Sequence, residues 1–416
     1  MNSHEEWAAR FGTPLYVYDL DRVAVARDEL FSMLPEGFEL YYALKANPHP
    51  EVARATREGG SHACRAEISS SGELAAALSA GFAAEECLYT GPGKTDGELD
   101  HALGLGVRMF SVESLGDLRH IGAAAVRLGV TAQALLRINS LTASATTGMR
   151  MMGKPSQFGI DSETLPELMP ELTSIAGTRV VGAHFFTMSN AKDEASLIGE
   201  MQHVIALAAE LGREVGLPLE FLDIGGGFSS PYAVRGERAV YDKLRTELES
   251  SLDVHLPGWR DGTTRLACES GRYLVGDSGS LLTRVVNVKQ SRGGKFVIVD
   301  AGINTLGGLS GLGRLLPASV EVDGDTSDVA SLVGPLCTPG DILGRDIDLP
   351  ELSGGELLTV PNAGAYGVTA SLLTFLGRPA PAELVVRGEE VVSVSRLEPR
   401  RVFESSGAEP SGVAAE

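Results

Sequence analysis

The segment Glu39-Leu40-Tyr41-Tyr42-Ala43-Leu44-Lys45-Ala46-Asn47 is a short β-favouring run that ends at a lysine. Its aromatic and aliphatic residues suit a strand buried on both faces, and the charge that follows marks the C-terminal end. Working outward, similar runs recur at about Ala63 to Ile68, Cys87 to Tyr89, Met109 to Val112, Ala134 to Ile138, Val180 to Phe185, Leu219 to Ile224 and Arg265 to Cys268. Each run precedes an alanine- and leucine-rich stretch of helical texture. Eight β/α pairs between about residues 37 and 270 point to an α/β fold with a closed parallel (β/α)8 barrel. An open, doubly wound sheet has the same alternation, so the pattern alone does not decide closure.

Beyond about residue 278 the texture changes to Val- and Leu-rich strands separated by Gly and Pro, as in Lys295-Phe296-Val297-Ile298-Val299-Asp300. This predicts a second, β-rich domain. The early run Pro14-Leu15-Tyr16-Val17-Tyr18 precedes the barrel and is suited to pair into that β domain. The expected division is a barrel over 20–275, a β domain from 1–19 with 276–404, and a disordered tail rich in Ser, Gly, Ala and Glu over 405–416.

A chain of 416 residues, 43% hydrophobic, is long enough for a large core. Its net charge of −20 opposes nucleic acid or an anionic membrane as the main partner. Cys64, Cys87, Cys268 and Cys337 have neither C-x-x-C spacing nor a metal-ligand pattern shared with His, so no metal site or disulfide framework is expected. The N-terminus has no basic segment leading into an apolar run, and no stretch approaches membrane-spanning length. A reducing cytoplasm is the expected location.

In a β/α barrel the active site lies at the C-terminal ends of the strands. Lys45, Glu67, His184, Phe186, the Gly225-Gly226-Gly227 run and the segment Glu269 to Arg272 all fall there. Taken singly, each has an ordinary explanation: a strand-end lysine is commonly solvated or ion-paired, and three glycines can serve a tight turn. Together they describe a reactive amine beside an anion cradle, because glycines after a buried strand let backbone N–H groups face a phosphate. Arg272 and Tyr366 are suited to supply further donors.

These segments, with Tyr42-Ala43-Leu44-Lys45-Ala46-Asn47, Glu67-Ile68-Ser69-Ser70-Ser71-Gly72-Glu73-Leu74, Phe158-Gly159-Ile160, Glu269-Ser270-Gly271-Arg272, Gly334-Pro335-Leu336-Cys337 and Ala363-Gly364-Ala365-Tyr366-Gly367, carry a resemblance. In order and spacing the chain resembles the fold-type III pyridoxal-phosphate decarboxylases of diaminopimelate, ornithine and arginine. The resemblance covers nearly the whole length. It implies a barrel with a β domain, the architecture shared with alanine racemase, and pyridoxal 5'-phosphate held by Lys45 as a Schiff base. It implies that Glu269 keeps the pyridine nitrogen protonated, so that the ring accepts electrons when the α-carboxylate leaves. Ser189, Gly225, Gly226, Gly227, Gly271, Arg272 and Tyr366 are the implied phosphate contacts. Glu67 stands where relatives usually have Asp. Cys337 matches a cysteine contributed across a head-to-tail homodimer interface, where it returns a proton to Cα. The other three cysteines read as small buried hydrophobes.

Three departures bear on the substrate. Phe186 occupies the position of a ring-stacking histidine, keeping dispersion but losing a titratable edge, while His184 is expected to support the strand end. Thr338 follows Cys337 where relatives place an acid against the substrate's distal ammonium, and the stretch from Asp300 to Arg314 lacks the Arg-Pro-x-x-Tyr cluster expected for diaminopimelate. An ordinary diamino acid would therefore leave a charge unpaired. The departures are similar to a biosynthetic branch that decarboxylates carrier-linked or conjugated amino acids in antibiotic or siderophore pathways, with Arg314 and Thr338 as candidate substrate contacts. Three alternatives remain: a diaminopimelate or other basic amino-acid decarboxylase; a racemase, which tends to place Arg rather than an acid at the pyridine nitrogen; and a non-catalytic cofactor-binding protein.

Overall fold

The computed structural model describes residues 3–140, 149–150, 155–307 and 319–402. The eight barrel strands are Glu39–Ala43, Arg65–Ile68, Cys87–Tyr89, Met109–Val112, Ala132–Asn139, Thr178–His184, Phe221–Asp223 and Arg265–Ser270. Each pairs in parallel with the next, and the eighth returns to the first through Ala267↔Glu39 and Glu269↔Tyr41. That last ladder closes the ring and removes the open-sheet alternative. No edge strand is left in the ring to pair with another chain.

The strands are short and almost wholly buried because both faces are covered, the outer one by helices and the inner one by other strands. Inside, Tyr41, Leu88, Met109, Leu135, Val181, Phe221 and Ala267 form one buried cluster from seven of the eight strands, with Tyr41 and Phe221 meeting edge to face at 6.4 Å. This layer fills the barrel and confines polar chemistry to its rim. At the rim, side-chain caps start the following helices: Ser70 caps Ser71–Ser79, Thr95 with Glu98 caps Asp96–Leu105, and Ser114 caps Leu115–Leu128. Each cap satisfies free N–H groups where the chain leaves the strand end, which holds these turns firmly around the cleft.

A second sheet of eight strands packs beside the barrel. Its central members are Gly279–Ser291, Leu15–Asp19 and Ala382–Arg387, with Leu15–Asp19 antiparallel to the first and parallel to the last. Leu15, Val17, Leu282, Ala382, Leu384 and Val386 build its own core with Ala8 of the helix Ser3–Phe11. The sheet's loop at 362–367 reaches the barrel mouth, where Tyr366 N–H donates to Ala46 O at 2.7 Å and Asn47 Nδ2 donates to Gly364 O at 2.9 Å. Lys45 and Tyr366 are thereby fixed to one frame. Among the described residues no helix is long and apolar enough to cross a membrane.

Candidate active site

Lys45 stands two residues beyond the first strand, in the short turn Leu44–Ala46. Its Nζ lies 3.0 Å from Glu67 Oε2, and its side chain keeps 42% of its surface open to the cleft while Glu67 is buried. Thr90 Oγ1 donates to the other Glu67 oxygen. Enclosure at the barrel mouth works against the ammonium, but Glu67 and Glu269 outweigh it, and the amine is held above the ordinary lysine value. Lys45 Nζ also sits 5.5 Å from the centre of the Phe186 ring.

Glu269 is buried at the end of the eighth strand and faces the same cleft. Its Oε1 is 3.1 Å from His184 Nε2, yet neither atom has an aligned hydrogen bond. The other imidazole nitrogen, Nδ1, is 2.7 Å from Ser111 Oγ. Asp223 completes a buried group whose ligand atoms lie within 4.8 Å of one another. One imidazole cannot balance two buried carboxylates, so the acids divide. Burial, then the charge of Glu269, pushes Asp223 up to about 7. Burial would also raise Glu269, but His184, with Lys45 and Arg137, outweighs it and keeps Glu269 below the usual carboxylate range.

The cradle that shares the cleft with Lys45 is backbone. Gly225 has φ +79°, and a Cβ there would lie 2.2 Å from Phe185 O, while Gly227 has φ +118°. Only glycine turns the chain this sharply after the seventh strand without colliding with the sixth. Gly226, Gly227, Ser189, Gly271, Arg272 and Tyr366 line the same cleft as Lys45. Arg272 makes no ion pair among the described residues; its guanidinium carbon is 5.3 Å from the Tyr366 ring centre and 5.5 Å from that of Tyr232.

Most residues named from sequence thus converge: Lys45, Phe186, Ser189, Gly226, Gly227, Glu269, Gly271, Arg272 and Tyr366 line this cleft, with Glu67 bound to Lys45. Gly225 forms the turn beneath it. Cys337 and Thr338 do not line it within one chain. Cys337 is exposed, on a loop pinned by buried Asp341, which accepts from Ile303 N at 2.8 Å and Leu336 N at 2.7 Å. Arg314 and the tail 405–416 lie outside the described residues.

Sequence reading passed over Thr90, Ser111, Asp223 and the pair Glu113–Arg137. Arg137 is held by Glu113 at 2.9 Å, and its guanidinium carbon lies 4.6 Å from the Phe158 ring centre and 5.8 Å from that of Phe186. The signal was present in the sequence: a charge among Leu135, Leu136 and Ile138 is rarely buried without a partner.

An unpaired arginine beside glycine amides fits a phosphate, an amine in the same cleft fits an aldehyde, and a buried carboxylate with an unaligned oxygen fits a protonated pyridine nitrogen. Fold and site are those of a barrel enzyme that works with pyridoxal phosphate. The family model for the pyridoxal-binding domain of pyridoxal-dependent decarboxylases matches residues 21–276, and the chain belongs to that family. L-glutamyl-[BtrI acyl-carrier protein] decarboxylase of Niallia circulans is 33% identical over 91% of this chain and 90% of its own. Diaminopimelate decarboxylase of Methanothermobacter thermautotrophicus is 33% identical over 94% and 91%. The crystal structure of diaminopimelate decarboxylase from Helicobacter pylori complexed with L-lysine superposes with a TM-score of 0.80 at 28% identity, covering 94% of this chain and 95% of that one. The enzyme is a pyridoxal-phosphate-dependent decarboxylase.

Proposed function

We propose that this decarboxylase removes the free α-carboxylate of an amino acid that is tethered to a carrier protein through its side-chain end. One observation carries the choice. In the loop that holds Thr338, Asp341 is fully engaged: one oxygen takes the N–H of Ile303 and the other that of Leu336. No carboxylate in that loop is free for a distal ammonium, so an ordinary diamino acid would bury an unpaired charge. A thioester or amide in place of the charged end removes the problem. The Niallia circulans relative, a decarboxylase named for a carrier-linked glutamyl substrate, supports the same reading.

Lys45 would hold the cofactor's aldehyde carbon, with the glycine amides, Ser189, Arg272 and Tyr366 around the phosphate and Glu269 at the ring nitrogen. When bound, pyridoxal phosphate supplies the electron sink for the breaking Cα–CO₂⁻ bond. Glu269, kept anionic by His184, holds the proton at the ring nitrogen. Glu67 orients the Lys45 amine. Phe186, braced by Arg137, walls the cleft and excludes water from one face. Carbon dioxide departs, and the partner subunit's Cys337 gives its thiol proton to Cα and recovers one from solvent. This assignment requires a head-to-tail homodimer, consistent with an exposed Cys337 outside its own chain's cleft. We place the enzyme in the cytoplasm, where four free cysteines persist, and divide the chain at about residues 20 and 275.

The test is a mass-spectrometric screen for loss of carbon dioxide across free amino acids and amino acids loaded on carrier proteins through their side chains. The expected result is turnover of a carrier-linked substrate. Efficient turnover confined to diaminopimelate or another free basic amino acid would overturn the substrate assignment and leave the decarboxylase standing.

A further inference from the structure

On a chain of net charge −20, one groove is basic. It has a volume of about 980 Å³ and is bordered by Arg378, Arg396, Arg400 and Arg401, with Glu398 as its one acid. All four arginines are exposed. Arg378, Arg396 and Arg401 have no ion-pair partner among the described residues, and Arg400 reaches Glu398 only at 3.9 Å. Apolar side chains are concentrated in and around the same stretch of sequence, with Leu372, Phe375, Leu376, Leu397 and Val402 among the exposed large hydrophobics. Uncompensated arginines among exposed aliphatic and aromatic groups are the composition of a protein interface, in which arginine supplies both charge and contact area.

The groove is also joined to the reaction. Arg378 Nη2 donates to Pro335 O at 3.2 Å, two residues before Cys337. Leu372 N–H donates to Ile303 O, and Ser371 Oγ accepts from Gly307 N at 2.8 Å, so the segment that leads into the groove's Leu373 and Thr374 is tied to the stretch whose Ile303 N–H Asp341 also holds.

We propose that this groove docks an acidic acyl carrier protein, its arginines meeting the carrier's carboxylates and its apolar side chains an adjoining helix face, so that the thioester-bearing arm starts beside the Cys337 loop. Charge complementarity selects the partner: the rest of the surface repels an acidic protein, and only a local cationic patch captures and orients it. The proposal rests on the carrier-linked reading of the substrate given above.

The experiment compares wild type with Arg396→Glu/Arg401→Glu on two substrates, the BtrI carrier protein loaded with L-glutamate through its side-chain carboxyl and the pantetheine thioester of the same carboxyl, both with the α-carboxylate free. Neither arginine touches the cleft. The double variant is expected to lose at least tenfold in kcat/KM on the carrier-linked substrate and to keep wild-type kcat/KM on the small thioester. Added salt should lower the wild-type rate on the carrier alone. Arg396→Gln/Arg401→Gln, with a milder loss in the same direction, guards against misfolding of the reversed pair. Equal rates on the carrier for wild type and both variants would overturn the docking site. So would loss on both substrates together with dissociation of a dimer, which would assign the groove to contact between copies. Wild type that consumes a free amino acid and neither thioester would instead overturn the substrate reading beneath it.

Discussion

Glu383 makes the sharpest quantitative test of how the two sheets are joined. It lies on the strand Ala382–Arg387, is 5% exposed, and accepts one hydrogen bond, from the Tyr18 hydroxyl at 3.1 Å. No cation pairs with it among the described residues, and His49, which lines the same cavity, is itself held below its ordinary value by burial. Burial therefore dominates and raises the carboxyl from its ordinary 4.5 to about 7, against a smaller opposing effect of the Tyr18 bond. Between those pH values the folded protein holds a proton that the unfolded chain has released, so stability falls as pH rises through the window. The largest loss is about 3 kcal/mol, complete above the folded value and absent below pH 4.5. Glu383→Gln keeps an acceptor for Tyr18 and removes the charge. Urea unfolding of both proteins from pH 4 to 8.5 should give similar stabilities at the acid end and a growing advantage for the variant above about pH 5. Parallel curves across the whole range would refute the assignment of an uncompensated carboxyl at this junction.

Two further outcomes follow from the site. Glu113→Gln leaves the buried Arg137 guanidinium without its counter-charge and should cost about 3–5 kcal/mol in urea unfolding, whereas a change under 1 kcal/mol would mean that the aromatic rings of Phe158 and Phe186 hold Arg137 unaided. Cys337→Ala and Lys45→Ala should each be inactive alone and regain activity when mixed and allowed to exchange subunits, measured as carbon dioxide release; no recovery despite mixed dimers would place both residues in one chain's site.

The barrel was legible because its strands are buried on both faces and so stand out as short apolar runs; all eight overlap the observed strands. Their ends were less so. The second run starts at Ala63 by texture, but the strand begins at Arg65, because apolar Ala63 and Cys64 follow the short turn Gly60–His62 before the ladder forms. Strand-end placement also put Lys45, Glu269 and the glycines near one another, and in the structure they meet at one cleft, since a parallel barrel brings every strand's C-terminus to one rim. What it could not give was pairing across the rim. Arg137 and Glu113 are 24 positions apart, and Thr90 and Glu67 are 23 apart; nothing local links them. Asp223 falls inside the seventh apolar run and nothing local singles it out, because its character comes from Glu269 and His184 on two other strands. Cys337 is exposed and lies outside its own chain's cleft, so the role proposed for it needs a second chain, which no single sequence displays.

The most direct measurement is the site of cofactor attachment. The purified enzyme, loaded with pyridoxal phosphate, reduced with borohydride and digested, should yield one phosphopyridoxyl peptide, carrying the label on Lys45; Lys45→Ala treated the same way should yield none. A label on another lysine such as Lys94, or an unlabelled protein that still releases carbon dioxide from its substrate, would contradict the account.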